Sequence, residues 1–346
     1  MRILLTADPL LPVPPKLYGG IERIIDALAL ELQKRGHRVG LLAHAESTCS
    51  VERLAWPALE TPGSWAHLSN ALALRQAVKS YQPDLVHSFS RLFYLIGILS
   101  SRLPKIMSYQ RLPTPRTVFS AWRLSKNTLR FTGCSGFICR EGQRGGGRWE
   151  AIPNFVNVDA YQAAASVPPD APLVFLSRIE AIKGAHRAIA IARQAKRRLL
   201  LAGNHATDGE AGRYWKERIE PALGHDGIDY VGPVDDHQKN ELLGRAAALI
   251  VPVEWDEPFG IVFAEALACG TPVISCPRGA LPEIVRPGVD GFLIRTDREG
   301  VEAVESLAQI DRLGCRRRAV ERFSAAAAVD RYEHVYRDAV AQRLAA

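Results

Sequence analysis

The chain has 346 residues, of which 47% are hydrophobic and 23% are charged, and its formal net charge is +7. This length suits two domains, each large enough to bury its own core, and the composition is that of an ordinary soluble protein. A membrane-spanning chain is excluded, because no stretch approaches the ~20 consecutive apolar residues that cross a bilayer.

The N-terminal sequence MRILLTADPLLPVPP predicts a buried strand rather than a signal sequence. Its apolar run is short and is interrupted by Asp8 and by several prolines. The six cysteines show no C-x2-C spacing, which favours reduced and mostly buried thiols over a metal site. We therefore expect a cytoplasmic protein.

The first half of the chain alternates predicted strands and helices. Residues 3–6 form a strand, and Gly19 and Gly20 open a helix that Gly36 ends. The strands VGLLAHA and DLVHSF follow, separated by a helix over about 68–80. The apolar residues of the first helix share one face: Ile21, Ile24, Ile25, Leu28 and Leu32. This alternation predicts a doubly wound parallel sheet, whose ligands bind at the carboxyl ends of its strands.

Positive charge is concentrated in residues 102–150, which hold ten Lys or Arg against two acids. Phe119, Trp122 and Phe131 lie within this segment. Such a segment can bind an anionic membrane surface, which for a cytoplasmic protein is the inner face of the membrane. The alternatives are a binding site for a phosphorylated acceptor and a solvated face without a partner. We do not expect nucleic acid as a partner, since none of the usual binding signatures occurs.

A second alternating series follows an Ala- and Pro-rich linker over residues 162–172. Its predicted strands are LVFLSR, LLLAG, IDYVG, ALIVPV and PVISC, with helices between them. The same α/β architecture therefore appears twice. Two such sheets that face one another leave a cleft, which is a common place for a ligand.

The stretch EPFGIVFAEALACGTPVI, residues 257–274, is the most informative part of the chain. Pro258 suits the first turn of a helix, and Gly260 lets the backbone approach a ligand at a helix N-terminus that favours phosphate. In a continuous helix, Glu265 would lie about 10 Å from Glu257 at ~1.5 Å per residue. Carboxylates so placed can hold the hydroxyls of two sugars. The alternative is a pair of solvated glutamates.

Several motifs, taken in order, resemble the retaining GT-B glycosyltransferases of glycosyltransferase family 4 over nearly the whole chain. They are YGGIERII, PDLVHSF, IPNFVNVDAY, SRIEAIKG, EPFGIVFAEALACGTPVI, GALPEIV and GFLI. The resemblance implies two Rossmann-like doubly wound parallel-sheet domains facing across a cleft. We expect an N-terminal acceptor-side domain over 1–162, a nucleotide-sugar domain over 163–324, and a last helix, 325–346, that crosses back to the first domain.

The resemblance assigns the donor diphosphate to Arg178 and Lys183, which end a strand and begin a helix. Such cations stabilise the charge that develops on a leaving diphosphate. The alternative for Arg178 is a surface ion pair with Glu180. Ser177 and Asn204 depart from the family's usual glycines, so they line the phosphate site differently.

The resemblance also implies contacts to the rest of the donor. Glu257 matches the residue that holds a donor-sugar hydroxyl, and Glu265 matches the one that holds the ribose. The backbone that lines the sugar and phosphate is that of Phe259, Gly260 and Ile261. The base rests against the loop that ends at Val234. Asp235 and Asp236 precede a helix, which favours an N-cap over a metal site.

In the first domain, Gly19 and Gly20 match the family's glycine-rich phosphate loop. Glu22 is a first-turn partner of the helix dipole rather than a catalyst. A lone histidine is more often structural, but the resemblance implies that His87 contacts the 6-hydroxyl of the donor sugar near the reacting carbon.

We therefore predict a retaining hexosyltransferase that needs no metal or other cofactor. The donor is a nucleoside-diphosphate sugar, with a UDP-sugar favoured, and the acceptor is a sugar or a lipid-linked molecule in cell-envelope or polysaccharide biosynthesis. The resemblance implies a front-face mechanism in which the leaving diphosphate helps to deprotonate the acceptor. A hydrolytic or non-catalytic sugar-nucleotide binder is the alternative, whereas a glycoside phosphorylase and a G-x-G-x-x-G oxidoreductase lack their motifs here.

Overall fold

The computed structural model describes residues 1–15, 19–58 and 64–344. Contacts divide the chain into two units, Met1–Phe155 with Ala325–Ala346 and Val156–Ser324. The division precedes the predicted boundary at 162, because residues 156–161 bond to the second unit. Arg316, for example, donates a hydrogen bond of 2.7 Å to the carbonyl of Val158.

The first unit is built on a seven-stranded sheet in the order β3-β2-β1-β4-β5-β6-β7, and all neighbouring strands are parallel. Its strands are β1 (Arg2–Thr6), β2 (Arg38–Ala43), β3 (Glu52–Ala55), β4 (Leu85–Ser88), β5 (Lys105–Tyr109), β6 (Leu129–Gly133) and β7 (Trp149–Ala151). The helices that precede the second unit are α1 (Gly20–Lys34), α2 (Ser64–Tyr81), α3 (Pro115–Leu124) and α4 (Gly136–Gln143). The central strand β4 is wholly buried, as expected when helices cover both faces of a parallel sheet.

The second unit repeats this plan with six parallel strands in the order β10-β9-β8-β11-β12-β13. They are β8 (Leu173–Leu176), β9 (Leu199–Ala202), β10 (Ile228–Gly232), β11 (Ala248–Val251), β12 (Val273–Ser275) and β13 (Gly291–Leu293). Its helices are α5 (Ala185–Gln194), α6 (Gly209–Tyr214), α7 (Asp236–Arg245), α8 (Ile261–Ala268), α9 (Leu281–Ile284), α10 (Asp297–Glu305) and α11 (Arg312–Phe323). Both units are therefore doubly wound parallel sheets, as the alternation of elements predicts.

The last helix, α12 (Ala325–Leu344), belongs to the first unit. Arg35 at the end of α1 pairs with Asp330 at 2.6 Å, and His37 bonds to Glu333 at 2.8 Å. Tyr336 is fully buried. Polar contacts thus join α12 to the C-terminal end of α1 and to the segment before β2.

All six cysteines are free and buried, and their burial agrees with the expectation. Among the helices of the described residues, none combines the length and the apolar character that crossing a bilayer requires.

Candidate functional site

The strand order of the second unit reverses between β8 and β11, which lie side by side. In a doubly wound sheet, ligands bind outside the carboxyl ends of the strands at such a point. The segment after β8 carries Arg178 and Lys183, and the segment after β11 carries Trp255 and Glu257. The topology therefore brings the predicted phosphate and sugar residues to one place.

Lys183 and Glu257 form the centre of this site. The Lys183 ammonium lies 2.6 Å from Oε2 of Glu257, and both residues are 8% exposed. The indole N–H of Trp255 donates to the same Oε2 at 2.9 Å, and the ammonium lies 4.6 Å from the centre of the indole ring. A carboxylate, a cation and an aromatic ring thus hold one another at the edge of the sheet.

Two glycines shape the backbone around this pair. Gly184, with φ +76°, ends the short turn that carries Lys183, and a Cβ there would lie 2.1 Å from the carbonyl of Pro252. Gly260, with φ +80°, is the N-cap of α8, and a Cβ there would meet the Phe263 ring at 2.5 Å. Because a side chain is excluded at Gly184, the turn that carries Lys183 approaches Pro252 closely, and the left-handed Gly260 places the start of α8 directly after Glu257, Pro258 and Phe259.

Glu257 lies outside the helix that contains Glu265, which corrects the expectation of a helix beginning at Pro258. The left-handed conformation of Gly260 delays the start of α8 to Ile261. The distance expected from a continuous helix therefore does not apply.

Glu265 has its own partners. Its Oε1 accepts hydrogen bonds from the Tyr161 hydroxyl at 2.7 Å and from the Lys239 ammonium at 2.6 Å. Burial alone would lower the pKa of Lys239, but the charges and hydrogen bonds of Glu265 and Asp236 outweigh burial and raise it. The two predicted sugar-binding carboxylates are thus each paired with a lysine.

Arg178 pairs with Glu180 at 2.7 Å, and its side chain is 50% exposed. This is the surface ion pair that the sequence left as the alternative. An exposed pair of this kind contributes little to stability, so replacing Glu180 by a phosphate has a small energetic cost. Binding of the diphosphate by Arg178 stays a prediction.

The remaining predicted residues of the second unit lie along the same sheet edge. Ser177 follows β8 and donates its N–H to Ala202, while the exposed Asn204 follows β9 and accepts from Ile179 at 2.8 Å. The Phe259 ring is buried against Phe323, which leaves the backbone as the part of Phe259 that can line a ligand.

The loop after β10 ends in a helix cap. Val234 is half-buried and directly precedes Asp235. The Asp235 side chain accepts from the N–H of Gln238 at 2.8 Å, and the backbone N–H of Asp235 donates to the Gln238 side chain at 3.0 Å. This capping box confirms the predicted N-cap role of Asp235.

In the first unit, Gly20 is the first residue of α1 and Gly19 is its N-cap. They follow β1 at the point where the strand order reverses between β1 and β4. Glu22 in the first turn is buried, and this burial raises the pKa of its carboxyl group. A hydrogen bond from its own backbone N–H acts in the opposite direction but does not outweigh burial. A phosphate-approach role for the two glycines stays a prediction.

The structure does not support the predicted contact of His87 with a sugar. Its ring is fully buried, with Nδ1 at 2.6 Å from the Tyr336 hydroxyl and Nε2 at 2.6 Å from the Ser108 hydroxyl. Both ring nitrogens are therefore occupied, and no part of the ring faces solvent. We correct the expected role: His87 joins β4 to β5 and α12.

This burial makes stability depend on pH. It lowers the pKa of His87 to about 3, whereas an unfolded histidine titrates near 6.5. The unfolded state therefore binds a proton first, and the stabilisation present above pH ~6.5 is lost as pH falls towards ~3. Between about pH 7 and about pH 5, the wild type should lose roughly 2 kcal/mol of unfolding free energy more than His87→Gln, by urea denaturation. Equal losses would show that His87 does not titrate in this way.

Sequence reasoning missed three residues of the site: Tyr161, Lys239 and Trp255. Tyr161 is the last residue of the motif IPNFVNVDAY, and Trp255 lies two positions before Glu257. The motifs could therefore have pointed to both residues. Lys239 had no such signal, because only the packing of α7 beside α8 brings it to Glu265.

Two family models match the chain. Residues 18–160 match the model described as Glycosyltransferase Family 4, and residues 162–323 match the model described as Glycosyl transferases group 1. Among curated proteins, the D-inositol 3-phosphate glycosyltransferases of Mycobacterium tuberculosis and Mycobacterium bovis are 32% identical over 155 residues. The match covers 44% of this chain and 32% of those proteins, so the chain aligns with about a third of their length.

Similar solved structures cover nearly the whole chain. AviGT4, a glycosyltransferase involved in avilamycin A biosynthesis, is 25% identical with a TM-score of 0.73 and covers 98% of both chains. The sucrose-phosphate synthase of Thermosynechococcus elongatus is 20% identical, with a TM-score of 0.79 and 99% of both chains covered. Anabaena HepE in complex with UDP and glucose is 19% identical, with a TM-score of 0.75 and coverage of 98% and 100%.

Proposed function

The chain belongs to the GT-B glycosyltransferases of family 4 and group 1, and from this premise we propose that it transfers a hexose from a nucleoside-diphosphate sugar with retention of anomeric configuration. The observation that carries the proposal is the buried contact of 2.6 Å between Lys183 and Glu257 at the strand-order reversal of the second unit. There, a cation suited to phosphate and a carboxylate suited to sugar hydroxyls adjoin two helix N-termini.

The proposed chemistry is charge stabilisation and positioning. As the sugar–phosphate bond breaks, negative charge grows on the diphosphate, and Lys183, Arg178 and the N–H groups of α5 and α8 stabilise it. The leaving diphosphate accepts the proton of the acceptor hydroxyl on the same face of the sugar. These groups supply positive charge that a metal ion would otherwise supply, so we propose a reaction independent of metals.

A uridine donor is favoured, since HepE of similar fold is described in complex with UDP and glucose. For the acceptor, we propose the hydroxyl of a sugar or of a lipid-linked saccharide in envelope or polysaccharide synthesis. The curated relatives are D-inositol 3-phosphate glycosyltransferases, but the alignment with them covers only 44% of this chain.

The first experiment is a thermal shift screen of UDP-, ADP- and GDP-sugars, followed by measurement of released nucleoside diphosphate. A donor at ~100 times its Kd should stabilise the protein by about 2.7 kcal/mol. Release that requires an acceptor supports a transferase, and release without one indicates a hydrolase. Activity should persist in EDTA. A protein that no sugar nucleotide stabilises would contradict the proposal.

We propose that the basic segment 102–150 contacts anionic lipids at the inner face of the membrane. Helix α3 and its flanks expose Leu112, Phe119 and Leu124, each at least half accessible, and the exposed cations Arg116 and Arg123 share the helix. Apolar and cationic side chains on one short helix suit the interface of anionic lipids.

The protein should sediment with phosphatidylglycerol vesicles at low salt and remain in solution with phosphatidylcholine vesicles. Each basic residue near an anionic surface contributes about 1 kcal/mol, so Arg116→Gln with Arg123→Gln should weaken binding at least ~10-fold. Equal sedimentation with both lipids would remove the membrane from the proposal.

A further inference from the structure

Among the described residues, the hydrogen bonds to the Glu265 carboxylate are made to one of its two oxygens. Oε1 accepts from the Tyr161 hydroxyl at 2.7 Å and from the Lys239 ammonium at 2.6 Å. Within residues 1–15, 19–58 and 64–344, Oε2 accepts none. The side chain is only 12% exposed, so its position is set by these two partners.

Lys239 is placed by the start of α7. The capping box of Asp235 and Gln238 begins the helix, and the Lys239 ammonium also bonds to Asp236 at 3.1 Å. The ammonium lies 5.8 Å from the centre of the Tyr161 ring, and its side chain is 15% exposed. A long, flexible side chain is thus held in a single direction, towards Glu265.

The position of Tyr161 is set by a second group of hydrogen bonds. The guanidinium of Arg316, on α11, donates through one nitrogen to the carbonyls of Val158, Tyr161 and Ala268, at 2.7, 3.2 and 2.7 Å. Ala268 is the last residue of α8, the helix that carries Glu265. One cation therefore fixes the segment that supplies the tyrosine to the helix that supplies the carboxylate.

We infer that Lys239 and Tyr161 are positioning residues for the ribose of the donor: they hold Glu265 so that Oε2 faces a ribose hydroxyl. This rests on the proposed function, in which Glu265 binds the ribose. A carboxylate already held by two donors loses little further freedom when a ligand binds, and preorganisation of this kind raises affinity.

The test compares UDP with 2′,3′-dideoxyuridine diphosphate by isothermal titration calorimetry, with the ADP and GDP pairs run in parallel. Lys239→Met keeps the length of the side chain and removes its charge, and Tyr161→Phe removes only the hydroxyl. In the wild type, the ribonucleotide should bind more tightly. Lys239→Met should weaken ribonucleotide binding about tenfold, which is the effect of ~1.4 kcal/mol, and leave the dideoxy form unchanged. Tyr161→Phe should act in the same direction by a few-fold.

Lys216→Met is the matched control, because it makes the same change at an exposed lysine of the second unit. Its ribose preference should equal that of the wild type. Lys239→Arg should restore part of the preference that Lys239→Met loses. Thermal unfolding identifies a variant that does not fold, in which case the Tyr161→Phe comparison decides.

The outcomes separate the two proposals. If the wild type prefers ribonucleotides and Lys239→Met and Tyr161→Phe keep that preference, only the positioning role is overturned. If Lys239→Met weakens both forms equally, the lysine acts as a general charge and the inference is also wrong. If the wild type binds none of the three ribonucleoside diphosphates, the proposed function fails and the inference fails with it.

Discussion

Lys183→Ala is expected to lower kcat at least ~100-fold, because it removes a cation that the proposed mechanism places against the leaving diphosphate. Preorganised contacts of this kind supply several kcal/mol in the transition state, and each 1.36 kcal/mol is a factor of ten in rate. The ammonium is 2.6 Å from Glu257 and nearly buried, so water substitutes for it poorly. Steady-state release of nucleoside diphosphate measures the effect.

The matched control is Lys216→Ala, which removes the same charge from an exposed position of the second unit. It should retain wild-type turnover. Lys183→Met tests whether packing rather than charge matters, since it fills the space of the lysine and should be as inactive as the alanine variant. A Lys183→Ala enzyme that turns over donor at the wild-type rate would show that the phosphate assignment is wrong.

Asp290→Ala should produce the largest loss of stability, about 3–5 kcal/mol, because it leaves a buried guanidinium without its counter-charge. Asp290 is 0% exposed and Arg318 is 4% exposed, and the two are directly bonded. Asp290 also accepts from the backbone N–H of Arg286 at 2.6 Å, which closes the turn before β13. Urea denaturation of the purified chain measures the change.

The double variant Asp290→Ala with Arg318→Leu distinguishes two effects on stability: the loss of the ion pair, and the cost of leaving one buried charge unpaired. Replacing both members of a buried ion pair by apolar residues is often close to neutral, so the double variant should regain much of the lost stability. If the single variant loses less than about 1 kcal/mol, Arg318 has found another partner or water, and the ion pair does not determine the stability of this turn.

Much of the fold could be predicted from the sequence because it is encoded locally. Apolar runs identified the buried strands, and the helix that begins at Gly20 has its apolar residues on one face. The capping role of Asp235 depends on residues three positions apart. Each of these signals lies within one turn or one strand.

The errors concern contacts between residues that are distant in sequence. His87 was placed correctly at the end of β4, but its role depends on Tyr336, which is 249 positions away and bonds to the ring. The strand pattern cannot show that contact. Lys239 reaches Glu265 from a different helix, so no spacing rule relates them.

The start of α8 illustrates an intermediate case. Proline at a first turn is a sound expectation, but the left-handed conformation of Gly260 is a property of the packed loop. It decides that Glu257 precedes the helix. The same loop then brings Glu257 to Lys183, and a motif match alone could not predict that ion pair.

The contact between Lys183 and Glu257 has a consequence for which molecules the proposed site retains. A free phosphate ion that draws Lys183 away leaves a shielded carboxylate with only the indole N–H of Trp255 as a described partner. An intact donor offers both components, since its phosphate replaces the carboxylate on the lysine while its sugar hydroxyl replaces the lysine on the carboxylate. In the proposed reaction the sugar hydroxyl leaves with the product, so we expect the Lys183–Glu257 pair to form again and to favour release of the nucleoside diphosphate.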